Sequence, residues 1–343
     1  MAPVGACTER ELFDDVDLCT PRGRLAPAAV GWARRPLHRC ALPGTWGRNK
    51  RWDFWGVIGP GFALSLTYAD VDYLGLVDVW FHDFSTARTF ARSRMVPLAR
   101  GMSLPDRPFG APIRFARRGL ELSFVEVDGG TRLVAMYQDG TNEFEADVVV
   151  ERPVGHESLS VVIPWSKRRF QCTTKDVARP ARGAVRWNGE RWSLAPASSW
   201  GCLDFGRGKW PWRTKWNWGA AAANVAGHRV GLQLGGKWTV GTGMTENALS
   251  VDGRLSKISE ELEWTYDPRD WLRPWTIRAP RTKRVALRFT PTYDKVSRIE
   301  AGVVSAKVDQ CFGTYEGTIV PDDGHEIRIA GMFGWAEEAT WRW

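Results

Sequence analysis

An antiparallel all-β fold, barrel or sandwich, is what this 343-residue sequence predicts. Three observations carry that expectation. Five pairs, Asp128-Gly129, Asp139-Gly140, Asn188-Gly189, Asp252-Gly253 and Asp323-Gly324, fall between short apolar or alternating runs. Such pairs supply the positive φ that a primed hairpin turn requires. Between them lie ELSFVEV, TRLVAMY, FEADVVVE, AVRW, RWSL, RVGLQL, ALSV, RLSKI, RVALRF and HEIRIA, all of strand length, for about fifteen strands of the usual ~5–6 residues. The connections are too short for the crossovers that parallel strands need.

Taken in order, residues 1–50 are rich in Pro, Gly and Arg without a sustained period, and read as an irregular arm across the body. In GWARRPL, Trp32 is placed to dock while the arginines stay in water. From Arg51 the pattern turns to strands. FALSLTY is followed by 76–84, where Val77, Val79 and Phe81 share one face and Asp78, Trp80 and His82 the other. STARTFARSRMVPLA, 85–99, is the best helical candidate, weakened by Pro97. LAPASSWGCLD interrupts two β-rich halves, so the expected division is an arm at 1–50, a first barrel at 51–200 and a second at 201–343.

The net charge of +8 favours solubility and anionic surroundings without naming a partner. RNA-recognition, helix-turn-helix and zinc-finger signatures are missing, so nucleic acid is not the expected partner. Six cysteines form no CxxC pair and no compact framework, which argues against zinc and against a disulfide scaffold. No signal-peptide core and no membrane-spanning apolar run is visible, so a cytoplasmic protein with reduced thiols is expected. There is no GxSxG, P-loop or strand-to-helix GxGxxG and no metal motif, so neither cofactor nor metal is expected. Nothing here specifies an oligomeric state.

KWPWRTKWNWG, 209–219, puts Trp210, Trp212, Trp216 and Trp218 on one face of an ideal strand, with Lys209, Arg213 and Lys215 on the other. Pro211 cannot donate to a ladder, so a break is expected near Pro211 to Thr214, with Trp216-Asn217-Trp218 the secure strand. The indoles suit a barrel core or the wall of a ligand cavity equally well in chemistry.

The ordered series CLDFGRGKWPWRTKWNWGAA, GLQLGG, TEN at 245–247, VDGRLSKI, RPW at 273–275, FTP, QCFGTYEG and GWAEE resembles a family known as domain of unknown function 2804. GWARRPL and TYADVDYLG are similar to it as well. The resemblance supplies no catalytic residues. At longer range it is similar to tandem lipocalin-like proteins that include carotenoid hydratases and cyclases of apolar polyenes. That link implies two lipocalin-like antiparallel barrels, or packed sandwiches.

Glu246 and the pair Asp70 and Asp72 are the candidate proton donors. On one strand Asp70 and Asp72 would share a face with Tyr68, and paired carboxylates hold a proton near neutrality. A solvated strand end and a turn cap are the bland readings of these acids. Trp216, Trp218, Trp212, Tyr68 and Trp275 are candidate walls. Asn247 and Gln310 are candidates to position water or substrate, and Asp204 and Glu337 are further acids. The expected partner is an apolar or amphipathic small molecule, lipid- or isoprenoid-like. The enzyme version is acid-catalysed hydration, isomerisation or cyclisation, with Trp216 and Trp218 sheltering a carbocation. Carbohydrate binding or glycoside hydrolysis at a Trp-lined cleft is a second reading, and a non-catalytic lipid carrier a third.

Overall fold

The computed structural model describes residues 7–44, 46–301 and 304–343, and nearly two thirds of the chain, 63%, is strand. In chain order the arm holds β1 (Val16–Asp17), β2 (Trp32–Ala33) and β3 (His38–Arg39). Then come β4 (Asn49–Gly59), β5 (Phe62–Asp70), β6 (Leu74–Asp83), β7 (Arg88–Pro97), β8 (Ile113–Arg117) and β9 (Leu120–Val127). Next are β10 (Gly130–Asp139), β11 (Asn142–Glu151), β12 (Leu159–Ser166), β13 (Arg169–Trp187), β14 (Glu190–Leu194) and β15 (Trp200–Lys209). The remainder is β16 (Arg213–Val225), β17 (His228–Gly236), β18 (Asn247–Val251), β19 (Arg254–Ile258), β20 (Glu263–Thr265), β21 (Trp275–Arg278), β22 (Val285–Ala301), β23 (Val304–Ile319) and β24 (Ile327–Arg342). No helix among the described residues is long and apolar enough to cross a membrane.

Two curled antiparallel sheets result, consistent with two lipocalin-like barrels. The first runs β7-β6-β5-β4-β15-β13-β11-β10-β9-β8, with β12 and β14 also on β13 and β2 on β12. The second runs β19-β18-β17-β16-β24-β23-β22-β21-β20. All five marked turns lie in hairpin connections. Asn188-Gly189 and Asp252-Gly253 have positive φ at both positions, 49° and 85°, then 51° and 83°. The chain leaves the first sheet at Lys209 and enters the second at Arg213, so the break expected at Pro211 is where the sheets change. That crossover lies later than the boundary placed at 200/201.

Two expectations are corrected. The helical candidate at 85–99 is the edge strand β7, whose inward positions Phe90, Arg92, Arg94 and Val96 alternate with exposed ones. Arginines on the inward side had hidden the period of two, since Arg92 lays its guanidinium over the Phe90 and Tyr137 rings. Among the described residues there are 24 strands, well above about fifteen. Strands such as β15 are buried on both faces and show no alternation to read.

Each sheet encloses its own apolar core. Val57, Leu64, Leu66, Val77, Val79, Phe81, Leu133 and Val148 belong to the first. Leu232, Leu249, Trp275, Ile277, Phe289 and Tyr315 belong to the second. A third layer forms where the outer faces of the sheets meet, with Trp80, Val177, Cys202, Trp218, Phe312 and Trp335 packed together. Glycine permits this approach: a Cβ on Gly56 would lie 2.8 Å from the Trp335 ring, and one on Gly231 would lie 2.7 Å from Ala178.

The arm laces both halves. Trp32 is buried as expected, and β2 pairs with β12. Arg34 is not left in water: it pairs with Glu11 and Glu157 and donates to the Leu255 carbonyl. Glu9 crosses to the second sheet, where its carboxylate sits 3.0 Å from the buried Lys257 ammonium and accepts from the Thr245 hydroxyl at 2.7 Å. Removing one partner of a buried pair strands the other charge. Glu9→Ala is therefore expected to lower the free energy of urea unfolding by ~3–5 kcal/mol. A change within error would show that the arm does not hold the second sheet.

Candidate functional site

Strand alternation decides which side chains enter the seam between the sheets. On β15, Leu203 and Phe205 face the first core, so Asp204 points outward, and its register partner Lys175 on β13 points the same way. On β16, Ala221 faces the second core and Trp216, Trp218 and Ala220 face the seam. Glu337 on β24 lies opposite Trp218, and Gln310 on β23 lies opposite Glu337. Gln233 comes from β17, and Glu246 stands immediately before β18. The tryptophans expected in a barrel wall are thus on the outside of one barrel, against the other.

At the centre the Lys175 ammonium lies 2.9 Å from Asp204 Oδ2 of its own sheet and 2.9 Å from Glu246 Oε1 of the other. It also sits 4.1 Å from the Trp218 ring centroid. Gln233 donates to Glu246 Oε1 at 3.2 Å and accepts from Trp218 Nε1 at 2.9 Å. Glu337 accepts from Trp216 Nε1 at 2.9 Å and from Gln310 Nε2 at 2.8 Å. Thr173 donates to Asp204 at 3.2 Å.

Burial sets the protonation. It pushes Glu246 up to about 7, with Lys175 pulling the other way and Asp204 adding to the rise. It pushes Glu337 up to about 6, against the hydrogen bond from Trp216. Burial alone would discharge Lys175, but Asp204 and Glu246 outweigh it and hold the amine above its ordinary value. The seam therefore contains one fixed cation and two carboxyl groups that take protons near neutrality. The face of Trp218 that was expected to shelter a carbocation is occupied by that fixed cation.

The sequence candidates divide. Glu246, Asp204, Glu337, Gln310, Trp216 and Trp218 come together. Asp70 and Asp72 do not share a strand face, which corrects the expectation: β5 ends at Asp70, and Asp72 turns out of line at φ 72°. Asp72 instead accepts from the Gly47 and Asn49 amides at 2.6 and 3.0 Å, and both acids pair with Arg51. Tyr68 is in the first core and accepts from the Ser103 amide at 3.1 Å. Trp275 is in the second core, stacked on Tyr266 at 4.2 Å. Trp212 is exposed under Arg48. Asn247 clamps backbone, accepting from Gly235 at 2.6 Å and donating to Glu260 at 3.0 Å. Lys175 and Gln233 were missed. Gln233 carried one signal, a polar residue in the otherwise apolar run GLQLGG, whereas Lys175 lies among the polar residues of QCTTKDV and carried none.

Among the described residues, no group of three or more His, Cys, Asp or Glu is placed to hold a metal ion. All six cysteines are free.

The raised carboxyls carry a stability signature. At Glu246 the folded chain holds the proton between the usual Glu value, 4.5, and about 7, where the unfolded chain has released it. The contribution of this group to stability therefore falls as pH rises through that window. Glu246→Gln is expected to flatten the pH dependence of the free energy of urea unfolding there, by up to ~1.4 kcal/mol per pH unit. An unchanged slope would mean that Glu246 does not take up the proton.

No curated protein matches the sequence. Solved structures resemble the chain at low sequence identity. The provisionally named AttH of Nitrosomonas europaea is 12% identical with a TM-score of 0.50, over 87% of this chain and 98% of that one. Kievitone hydratase of Nectria haematococca is 10% identical with a TM-score of 0.46, over 87% and 93%. CghA is 11% identical with a TM-score of 0.44, over 87% and 89%. The family model described as "Domain of unknown function (DUF2804)" matches residues 9–343, nearly the whole chain, and the protein belongs to that family.

Proposed function

We propose that the protein carries out a proton-initiated reaction, hydration, isomerisation or cyclisation, on a largely apolar unsaturated molecule admitted to the seam between the barrels. The observation that carries this reading is the placing of two buried carboxyls in one seam, Glu246 held by Lys175 and Gln233 and Glu337 held by Trp216 and Gln310, both raised by burial toward neutrality. Two carboxyl groups that take and give protons near neutral pH can divide the roles of acid and base.

In this reading Glu246 gives its proton to an alkene carbon. The π pair forms the new C–H bond and leaves a cation on the neighbouring carbon. For hydration, Glu337 takes a proton from a water as its oxygen bonds to that cation; for isomerisation it removes a proton from carbon instead. Trp216 and Gln310 orient Glu337, and Gln233 orients Glu246. Lys175 stabilises the carboxylate left after proton transfer. Aromatic neighbours, Trp216, Trp238 and Phe54 among them, favour an apolar substrate. Asp72, held by backbone amides and Arg51, is a structural cap in this reading. Six free cysteines suit a reducing, cytoplasmic compartment.

The test is incubation of the full chain with a panel of isoprenoid alkenes and conjugated polyenes in deuterium oxide, read by mass spectrometry. Deuterium is expected at carbon, with a rate maximum between about pH 6 and 7, where Glu337 is ionised and Glu246 is still protonated. Glu246→Gln is expected to lower the rate ~10²–10⁴-fold. Unchanged incorporation in that variant would remove Glu246 as the donor. Stable binding of a panel compound without incorporation would leave a carrier.

A further inference from the structure

Five lysines of the described chain lose water on folding, and four are matched in an obvious way. Lys175 lies between two carboxylates, and Lys257 pairs with Glu9. Lys50 donates to the Gly47 and Val71 carbonyls, and Lys209 to those of Gly23 and Pro43. Lys295 is different. Its Nζ meets a hydroxyl, Ser65 Oγ at 2.9 Å, and lies 4.4 Å from the Trp80 ring centroid. No carboxylate of the described residues pairs with it. An ammonium has three protons to place, and here Nζ donates one to Ser65 Oγ and faces the Trp80 ring, with no carboxylate in contact to hold the charge.

The surroundings are aromatic and face the seam. Trp80 stacks on Phe312 at 5.4 Å, His82 on Tyr293 at 3.9 Å, and Phe84 meets Phe333 at 5.2 Å. Lys295 itself is half-buried, so the nitrogen is shielded without being sealed. Burial holds its pKa below the ordinary lysine value, opposed by Asp78 of β6 and Glu337 of β24. Across the outer face of the second sheet, Lys295, Gln310 and Glu337 are successive register partners on β22, β23 and β24. The Lys295 amine therefore shares a row with the Glu337 carboxyl group, at the edge of the cluster around Lys175.

We propose that Lys295 captures an apolar aldehyde, aromatic or conjugated, as an imine within this aromatic part of the seam. The lone pair of Nζ forms the C–N bond while the carbonyl π pair moves to oxygen. One proton passes from nitrogen to that oxygen to give a carbinolamine. Departure of the hydroxyl with the second nitrogen proton releases one water and leaves the neutral imine. No oxidant or reductant takes part. The reaction is independent of proton transfer by Glu246, and its test reads a covalent bond, so it stands or falls separately from the proposed hydration chemistry.

The experiment is reductive trapping of the full chain with cinnamaldehyde and sodium cyanoborohydride at neutral pH, followed by peptide mass mapping. Lys295 is expected to be modified ~10-fold or more faster than the exposed Lys167 and Lys283, because a desolvated amine is more often neutral. Lys295→Arg is expected to lose that label. The wild-type selectivity needs no variant and decides the matter even if the substitution impairs folding. Modification confined to Lys167, Lys283 and other exposed lysines would overturn the proposal. Equal labelling of Lys295 by the hydrophilic aldehyde glyoxylate would overturn the assignment to an apolar aldehyde.

Discussion

A single ammonium group, that of Lys175, belongs to both sheets at once: it rises from β13, is held by Asp204 on the neighbouring β15, and reaches Glu246 at the start of β18 in the other sheet. Two outer sheet faces can pack against each other through apolar contact alone, and Phe54, Trp80, Trp218 and Trp335 do so here. Apolar contact is tolerant of sliding, whereas an ion triad with one donor and two acceptors at 2.9 Å is not. The triad therefore sets the register of one barrel on the other, and Gln233, Trp218, Trp216 and Gln310 take their places around it. The same burial that makes the arrangement demanding raises Glu246 and Glu337 into the neutral range.

The all-β character was legible because turn chemistry is local: Asn188-Gly189 and Asp252-Gly253 bend the chain wherever they occur. The break in KWPWRTKWNWG was legible for a similar reason, since Pro211 cannot take part in a ladder. Six of the residues picked as site candidates meet in the seam, because acids and tryptophans on a strand announce themselves as unusual. Lys175 did not, because a lysine in a strand reads as solvent-facing, and only the second sheet makes its face an interior. Gln233 was missed as well.

Asp70 and Asp72 show the opposite failure. A spacing of two implies a shared face only while the strand continues, and a φ of 72° at Asp72 ends it. The edge strand β7 repeats the lesson, since charged side chains on the inward side blurred a period that the backbone obeys. What the sequence could not display was non-local: which outer faces meet, and which cations they leave between them.

The N-terminal arm has a consequence for the order in which the protein is made. Glu9 reaches Lys257 across a sequence separation of 248 residues, and Trp32 closes over β12. At ~5–20 residues per second, tens of seconds of ribosomal synthesis separate the two ends of that contact. The first barrel can close during this interval while the segment around Glu9 has nothing to bind. Final docking of the segment must await the second barrel, so the nascent chain passes through a stage with one finished barrel and its Trp80 face still uncapped by the partner sheet. Contacts of such long range are also the slowest to form by search alone.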